Sequence, residues 1–174
     1  MLFRSQISLI DIGTGSGCIP IAVKKERPNW SISAFDVSPD AIDIARQNAE
    51  LNDAEIEFSV ENIFSPGNEI LSIQFDVIVS NPPYVLESES ETLDKEVKEY
   101  EPGLALFTTS TEKIYSAIET FASKTLKQNG FLILEINERF GQETLQIFTP
   151  STWETFLQKD YAGKDRFIFA KKLK

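Results

Sequence analysis

Short apolar segments alternate with segments of helical spacing along most of this sequence, and this alternation restricts the folds open to the chain. The helical intervals are 18–26, 38–49, 111–127 and 141–148, and Asn129-Gly130 is expected to end the third of them. The segments with the length and apolar content of buried strands are 7–12, 31–35, 56–60, 75–79, 131–136, 153–157 and 166–170. Strands joined through helices form a parallel sheet with helices on both faces. We therefore predict a doubly wound α/β fold with a mostly parallel seven-stranded sheet. It should have an antiparallel end strand, because only a loop joins the last two strands.

Two of the predicted helices carry finer expectations about burial. Ser38 has the side chain of a helix cap and Pro39 suits the first helical position, so the second helix is predicted to begin there. At three- and four-residue steps, its apolar face comprises Ala41, Ile44, Ala45 and Ala49. In the first helix, Cys18 is expected to be a small buried residue behind the preceding turn.

The composition excludes several kinds of site. With no histidine in 174 residues, the chain has no Ser–His–Asp triad and no histidine-dependent metal site. The single cysteine forms neither an internal disulfide nor a metal cluster, so we predict no metal and a reducing, cytoplasmic location. Lys and Arg number 17 against 27 Asp and Glu, and the net charge of −10 argues against nucleic acid as a direct substrate. No apolar run has the length of a membrane span and no signal-peptide pattern is present, so no membrane partner is expected.

The length is that of one domain, which we predict to occupy residues 7–174. Residues 1–6 lead into the first strand without a structural purpose of their own, and we expect them to be a non-native or residual lead-in. Segment 87–101 holds seven acidic residues against two lysines, which is typical of a solvated loop or short helix. The alternative for that segment is a mobile lid.

A glycine-rich turn lies between the first predicted strand and the first predicted helix. Its glycines, Gly13, Gly15 and Gly17, permit a sharp bend and the close approach of a ligand to the main chain. Asp11 precedes the first glycine by two residues, and Cys18 occupies the position where a dinucleotide-binding fingerprint requires glycine. The turn therefore indicates a binding site for a ligand other than a dinucleotide, with an ordinary tight turn as the alternative.

An acidic residue, Asp36, ends the second predicted strand. In doubly wound folds, a carboxylate at this position accepts hydrogen bonds from ribose hydroxyls. A loop acid or a helix-capping group is the alternative. Next to the glycine-rich turn, the ribose role is favoured.

The motif Asn81-Pro82-Pro83-Tyr84 follows the fourth predicted strand directly. Two prolines restrict the backbone and donate no hydrogen bonds, so their carbonyl groups are available to donors. The Asn81 side-chain oxygen and the Pro82 carbonyl can accept both hydrogens of one planar NH₂ group, and Tyr84 can stack on that group. A planar NH₂ group is a poor nucleophile because its lone pair is delocalised, so holding it in a fixed orientation is a form of catalysis that requires neither metal nor histidine. An ordinary proline-rich turn is the alternative.

The glycine-rich turn, Asp36 and the Asn81–Tyr84 motif together resemble class I amino-methyltransferases, which have a Rossmann-like fold and use S-adenosylmethionine. The rest of the chain resembles one branch of these enzymes, the release factor glutamine methyltransferases. The segments that carry this second resemblance are 80–85, 100–102, 105–106, 130–135, 141–142 and 159–166. The resemblance implies methylation of the side-chain amide nitrogen of the glutamine in the Gly-Gly-Gln loop of bacterial peptide-chain release factors. It implies S-adenosylmethionine as cofactor and S-adenosylhomocysteine as product.

The resemblance also implies roles for individual residues. The cofactor-binding set is Asp11, Gly13, Thr14, Gly15, Ser16, Gly17, Asp36, Asn62, Ile63 and Asn81. Within it, Asn62 would bind the adenine amine and Ile63 would line the adenine pocket, with a plain core residue as the alternative for Ile63. Asn81, Pro82 and Tyr84 are the expected catalytic residues, and with Pro83 they bind the substrate amide. The sequence departs from the family at Asn62, where an acid is commoner, and the family's helical N-terminal substrate domain is not expected in it.

Two other functions remain open at this point. An adenine amino-methyltransferase acting on DNA or RNA uses the same four-residue motif, but it should show a basic face or an added recognition domain. A cofactor-binding module that is inactive through truncation is the second alternative. Methyl-transfer assays on release factor and on nucleic acid would discriminate among the three.

Overall fold

The computed structural model describes residues 6–83, 85–86, 107–108 and 111–174. Its strands are β1 (Ser8–Ile12), β2 (Ser31–Asp36), β3 (Glu57–Val60), β4 (Phe75–Ser80), β5 (Val85–Leu86), β6 (Phe107–Thr108), β7 (Leu126–Glu135), β8 (Trp153–Lys159) and β9 (Asp165–Lys172). Its helices are α1 (Cys18–Glu26), α2 (Pro39–Leu51), α3 (Asn68–Leu71), α4 (Thr111–Thr125) and α5 (Gly141–Leu145). All seven predicted strands are therefore present. The lead-in at residues 1–5 and the acidic segment 87–101 lie outside the described residues.

In the described residues, seven strands form one sheet in the order β3-β2-β1-β4-β7-β9-β8. The first five strands in this order pair in parallel, and β9 is antiparallel to both β7 and β8. The predicted doubly wound fold is confirmed, and the antiparallel strand lies inside the sheet with β8 at the edge. Along the chain, strands β1 to β3 are added toward one side of the sheet, and the strands from β4 onward are added toward the other side. Right-handed crossovers therefore place α1 and α2 on one face and α4 on the other.

The main core lies between the sheet and α4. Ile10, Ile78 and Leu132 from three adjacent strands are fully buried there, together with Ile118 and Phe121 of α4. Burial of large apolar side chains on this scale is the dominant stabilising contribution to a fold of this size. The core therefore holds the central strands, and with them the ends of those strands, in fixed positions.

The first two helices differ in part from their predicted burial. Ser38 caps α2 as predicted, because its Oγ accepts a hydrogen bond from the main-chain nitrogen of Ala41 at 3.3 Å. The prediction for Ile44 was wrong: its side chain is 50% exposed, and Ile42 is buried instead. The prediction for Cys18 was also wrong, since this residue is exposed. The buried residues of α1 are Pro20 and Ile21, which lie farther around the helix.

The junction between α4 and β7 differs from the prediction. We expected the helix to end at Asn129-Gly130, but α4 ends at Thr125 and the strand begins at once. Asn129 has a left-handed φ of 63°, which asparagine tolerates better than most residues. A Cβ on Gly130 would lie 2.9 Å from the carbonyl oxygen of Asp76, so the two strands approach too closely there for a side chain. These turn-forming residues therefore allow an irregularity within the strand pair instead of ending a helix.

Other differences are short elements without a sequence period. The four-residue helix α3 and the parallel pair of β5 and β6, two residues each, were not predicted. Among the described residues, no helix has both the length and the apolar content needed to cross a membrane.

Candidate active site

The carboxyl ends of three central strands bring the main predicted site residues to one edge of the sheet. Ile12 of β1 is in register with Phe35 of β2 on one side and with Ser80 of β4 on the other. Asp36 and Asn81 each follow one residue later. Because neighbouring strands lie about 4.8 Å apart, the turn after β1 and these two residues begin within about 10 Å of one another. The strand order reverses between β1 and β4, which is where doubly wound folds form a ligand crevice.

The third strand extends this row of residues. Val60 of β3 is in register with Asp36, and the main-chain nitrogen of Glu61 donates to the carbonyl oxygen of Asp36 at 3.0 Å. Asn62 follows at the outer end of the row. The order along the edge is therefore Asn62, Asp36, the glycine-rich turn and Asn81, over about 14 Å for three strand spacings.

The glycine-rich turn is fastened to β2 and open on its other side. The main-chain nitrogens of Gly13 and Thr14 both donate to the carbonyl oxygen of Phe35, at 2.9 and 3.1 Å. Gly13 and Gly15 have left-handed φ angles of 70° and 55°, which other residues rarely adopt. A Cβ built on either glycine would meet no atom within 4 Å. The turn therefore leaves space beside its main chain, as a ligand cradle requires.

The last part of the turn has a packing role that the sequence analysis did not foresee. Gly17 precedes α1 with a φ of 82°, and a Cβ there would lie 3.1 Å from the Cβ of Ala45 in α2. Ser16 is exposed, and its carbonyl oxygen accepts a hydrogen bond from the side chain of Asn48 at 2.9 Å. Gly17 thus lets α1 approach α2. The cofactor-binding roles of Ser16 and Gly17 stay predictions.

Asp11 is the most unusual group at this edge. It is 1% exposed, and neither of its carboxylate oxygens nor the buried hydroxyl of Thr14 has a hydrogen-bond partner among the described residues. Burial raises the pKa of Asp11 to about 7. The nearby Thr14 hydroxyl opposes the rise, although it makes no well-directed hydrogen bond, and the charge of Asp36 adds to it. Burial without a partner favours the neutral form of a carboxyl group, whereas a bound hydrogen-bond donor or positive charge favours its ionised form. These residues therefore fit a ligand that carries a cationic amine.

Asp36 is held by main-chain donors on both of its oxygens. Oδ2 accepts from the nitrogen of Gly15 at 2.9 Å and Oδ1 from the nitrogen of Ser38 at 3.0 Å. Each carboxylate oxygen keeps a further lone pair, so the group can still accept hydrogen bonds from a ligand diol. Asp36 therefore links the glycine-rich turn to the start of α2 in a fixed orientation.

The loop after β3 combines a polar turn with an apolar groove. The Oδ1 of exposed Asn62 accepts a hydrogen bond from the main-chain nitrogen of Phe64 at 2.9 Å, so part of its accepting capacity stabilises the loop. Ile63 is half-buried and packs against the main core. It also lines a groove of about 320 Å³, together with Phe64, Pro66, Leu71, Ser116, Ala117, Thr120, Phe121 and Lys124. Ile63 therefore packs as a core residue, which was the alternative for it, and its adenine-lining role stays a prediction.

The motif after β4 begins at a well-held strand end. The Ser80 hydroxyl donates to the carbonyl oxygen of Ile12 at 2.8 Å, which fastens the last residue of β4 to β1. The Asn81 side chain is exposed and makes no hydrogen bond to the described residues, whereas Pro82 is buried. Tyr84 lies outside the described residues, so its stacking role stays a prediction. The exposed Asn81 amide is therefore available to a ligand, and the accepting role of the Pro82 carbonyl stays a prediction.

Sequence reasoning missed two groups that support this edge. The first is Asn48 of α2, whose side chain supports the glycine-rich turn by donating a hydrogen bond to the carbonyl oxygen of Ser16. Its signal in the sequence is a polar residue between the buried Ala45 and Ala49 of an otherwise apolar face. The second group is the turn between β8 and β9, where Asp160 accepts hydrogen bonds from Arg166 and from the turn itself. An Asp to Gly spacing of three residues is the signal there.

The chain is similar to known methyltransferases in sequence and in fold. Residues 2–98, more than half of the chain, match the family model described as "Methyltransferase small domain". A release factor glutamine methyltransferase of Flavobacterium psychrophilum is 44% identical over 165 residues, which cover 93% of this chain and 57% of that protein. Its counterpart in Bacteroides thetaiotaomicron is 38% identical, with 93% and 59% covered.

A solved structure of a Streptococcus mutans protein in complex with SAH has a TM-score of 0.67 and 13% identity, and the match covers 97% of this chain and 89% of that one. This likeness supports the fold alone. The chain spans less than two thirds of the length of the curated relatives that it matches. On the match to residues 2–98, together with the glycine-rich turn and its position in the sheet, the chain belongs to the methyltransferase small domain family.

Proposed function

We propose that this chain transfers the methyl group of S-adenosylmethionine to the side-chain amide nitrogen of the glutamine in the Gly-Gly-Gln loop of bacterial release factors. The observation that carries the proposal is the position of Asn81 and Pro82 directly beside the glycine-rich turn, across the switch point between β1 and β4. The names of the two relatives support the acceptor, and the match to the methyltransferase small domain family supports a methyl-donor cofactor. The reaction would take place in the cytoplasm, as the cysteine content predicts.

The row of residues at the sheet edge fits the parts of this cofactor. Asp11 and the open main chain at Gly13 and Gly15 would hold the amino-acid part, because the buried carboxyl group lacks a donor. Asp36 would accept hydrogen bonds from the ribose hydroxyls through its remaining lone pairs. Asn62 and Ile63 would border the adenine. When bound, S-adenosylmethionine supplies a methyl group on positively charged sulfur.

The residues after β4 would orient the acceptor amide. An amide nitrogen is a poor nucleophile because its lone pair is delocalised, so its position and electronic state decide the rate. The Asn81 oxygen and the Pro82 carbonyl would accept its two hydrogens, which fixes the plane of the amide and increases electron density on nitrogen. Pro83 stiffens this turn, and Tyr84 would pack against the amide plane. As the new N–C bond forms, the bond between the methyl group and sulfur would break with its electron pair left on sulfur, and one of the two N–H protons would leave to solvent.

The charge of the chain supports a protein acceptor over a nucleic acid. A net charge of −10 repels phosphate backbones, whereas acidic groups beside the cofactor site complement a cationic sulfonium. The adenine methyltransferase alternative is therefore not favoured.

Transfer of labelled methyl groups tests the proposal directly. The protein is incubated with labelled S-adenosylmethionine and either release factor, release factor with its loop glutamine replaced by alanine, or structured nucleic acid. We expect label on the unmodified release factor only. Label on nucleic acid alone would contradict the proposal in favour of the adenine branch. Cofactor binding in calorimetry without any transfer would favour a binding module.

A further inference from the structure

The turn between β8 and β9 lies at the same edge of the sheet as Asn81. β9 is antiparallel to β7, so its first residues lie at the carboxyl end of the parallel strands. The main-chain nitrogen of Ile136, just after β7, donates to the carbonyl oxygen of Arg166 at 2.9 Å. The start of β9 therefore lies beside the carboxyl end of β7. β9 and β8 are the second and third strands from β4. The turn is therefore about 10 to 14 Å along the edge from the strand that presents Asn81.

This turn, residues 160–164, is held rigidly by its own hydrogen bonds. The main-chain nitrogen of Asp160 donates to the carbonyl oxygen of Lys164 at 2.8 Å, and that of Gly163 donates to Asp160 at 3.0 Å. The Asp160 Oδ1 accepts from the nitrogens of Ala162 and Lys164 at 2.9 and 3.0 Å. Gly163 supplies the left-handed φ of 80° that the turn requires. These hydrogen bonds restrict the turn, so it would lose little conformational entropy on binding a partner.

Charged side chains fasten the same turn to the loop that follows β7. Arg166 contacts the Oδ2 of Asp160 through Nε and Nη2, each at 3.2 Å, and it lies 3.6 Å from the carboxylate of Glu138. Lys164 contacts the Glu138 carboxylate at 2.8 Å. These partly exposed ion pairs contribute little individually, but they join two neighbouring loops at one edge of the sheet. The turn and the post-β7 loop therefore form one continuous surface beside the crevice.

The tip of this rigid turn carries a fully exposed aromatic side chain, Tyr161. Other exposed aromatic residues have neighbours: Phe156 stacks on Phe169 at 4.8 Å, and Phe64 lines the groove beside α4. Tyr161 makes no hydrogen bond or ring contact to the described residues. Tyrosine on a rigid support provides large contact area with little loss of conformational entropy, and it is enriched among the residues that dominate protein interfaces.

We propose that Tyr161 is a docking contact for the protein that presents its glutamine amide to Asn81. This inference rests on the proposed function and adds the surface that recognises the substrate. A stable protein interface covers about 800 Å² on each partner, a patch roughly 30 Å across, so a tip about 10 to 14 Å from the crevice lies inside it. The partner is a protein, because Asp165, Glu138 and Asp160 beside the tip pair with Lys159, Lys164 and Arg166. These ion pairs balance the local charge, so the tip offers no excess of positive charge for phosphates.

Steady-state methylation of purified release factor tests the inference. The variants are Tyr161→Ala, Tyr161→Phe, which keeps the ring, and the control Leu51→Ala. Leu51 is also a large apolar residue, 82% exposed, but it ends α2 at the opposite edge of the sheet. We expect Tyr161→Ala to raise KM for release factor about tenfold, as a truncated interface anchor does. Its kcat and its affinity for S-adenosylmethionine should be unchanged, and Tyr161→Phe and Leu51→Ala should match the parent protein.

A second variant separates the ring from its support. Asp160→Ala keeps Tyr161 but removes the acceptor for the turn and for Arg166. We expect its KM to rise as well, with kcat unchanged, because the ring is no longer held in position.

The possible failures are distinguishable. If the parent protein methylates release factor and Tyr161→Ala retains the parent KM, the docking inference is overturned and the proposed function stands. A lower kcat with weaker cofactor binding in Tyr161→Ala would also overturn it, since those readouts report on the crevice. If the parent protein transfers no methyl group to release factor, the proposed function fails and the docking inference fails with it.

Discussion

Two aspartates on the adjacent strands β1 and β4 lie at opposite strand ends, Asp11 at the carboxyl edge of the sheet and Asp76 at the amino edge. They differ in their hydrogen-bond partners. Asp76, near the start of β4, accepts hydrogen bonds at 2.8 Å from the main-chain nitrogen of Ser8, from the Ser8 hydroxyl and from Lys127. Asp11, near the end of β1, is buried and has no hydrogen-bond partner on either oxygen among the described residues. One oxygen of Asp76, Oδ2, therefore has three donors within the chain, whereas Asp11 has none among the described residues.

The two groups also differ in acidity. Burial alone would raise the pKa of Asp76, but the hydrogen bonds from Lys127 and Ser8 hold it below its usual value. For Asp11 burial prevails and raises the pKa to about 7. Perturbed acids that lack an internal partner are typical of functional sites, whereas satisfied ones are typical of structural sites. The comparison therefore supports the proposed ligand site at the carboxyl edge of the sheet and a structural role for Asp76 at the amino edge.

The largest effect is expected at the carboxyl edge, from Asn81→Ala. Removing one of two amide acceptors should cost about 2 to 4 kcal/mol of transition-state stabilisation, and so lower kcat by about 30- to 1000-fold. Cofactor affinity and the free energy of unfolding should change much less, because the Asn81 side chain is exposed and has no partner in the described residues. Single-turnover methyl transfer measures the rate, calorimetry the cofactor affinity and urea denaturation the free energy of unfolding.

The matched control is Asn52→Ala, an exposed asparagine at the end of α2 and at the other edge of the sheet. It should leave kcat unchanged. Equal losses of kcat and of cofactor affinity in Asn81→Ala would refute this division of roles.

The next effect is expected from Asp11→Asn. Loss of a charge-assisted hydrogen bond to the cofactor amine should weaken cofactor binding by roughly 10- to 100-fold. The same change should stabilise the cofactor-free protein above pH 7, because it removes a buried unpaired charge. Calorimetry and thermal unfolding would show these opposite signs. In the control Asp76→Asn, cofactor affinity should stay at the parent value; a loss there would show that the comparison of the two edges is mistaken.

The pH dependence of binding follows from the raised pKa of Asp11. In the folded, cofactor-free protein this carboxyl group is protonated below about pH 7, whereas in the unfolded chain it ionises at its ordinary pKa of 3.8. The folded state therefore holds an extra proton between these values, and the free energy of unfolding should fall as pH rises through that window. A cationic amine binds the ionised form, so cofactor affinity should rise about tenfold per pH unit up to pH 7 and then level off.

Isothermal titration from pH 5 to 8 measures this profile, and Asp11→Asn should flatten it. A parent profile that is already flat would mean that Asp11 does not exchange its proton on binding.

The smallest effect is expected at the amino edge, from Asp76→Ala. This change leaves the main-chain nitrogen of Ser8 and the ammonium group of Lys127 without their acceptor, which should lower the free energy of unfolding by about 1 to 2 kcal/mol. Because the pKa of Asp76 is lowered by folding, its contribution is present above about pH 4 and is lost as pH falls through the lowered value. Urea denaturation at pH 7 and pH 3 would measure the difference, and methyl transfer at pH 7 should be unaffected. A loss of methyl transfer would place Asp76 within reach of the active site.

Much of the fold was predictable from the sequence, because it depends on periodicity. Seven apolar segments and four helical intervals were enough for a doubly wound sheet, whose carboxyl edge collects the glycine-rich turn, Asp36 and Asn81. Local periodicity does not specify which way a helix rotates when it packs, so Ile44 was expected inside and is half exposed. Asn129-Gly130 has the composition of a helix cap, and only the closeness of Asp76 on the neighbouring strand shows why it lies within β7.

The site divides in the same way. Residue types and their place after strands predicted Asp11, Asp36 and Asn81, since chemistry and position are both written in the sequence. The lack of hydrogen-bond donors around the Asp11 carboxyl group was not predictable, because it depends on the three-dimensional positions of all the residues that surround it. The Asn48 contact to the turn joins residues 32 positions apart, and no local pattern encodes it.

The position of β9 between β7 and β8 has a consequence for how the molecule is made. β8 precedes β9 in the chain but does not touch β7, so it cannot join the growing sheet when it is synthesised. Until β9 enters, β7 is an unpaired edge, and unpaired edges are where other chains attach. The buried residues Ile168 and Ala170 then complete the core in the same step. Folding of this sheet on the ribosome would therefore remain unfinished until β9 has left the exit tunnel, and a nascent chain stalled before that point would be prone to aggregate.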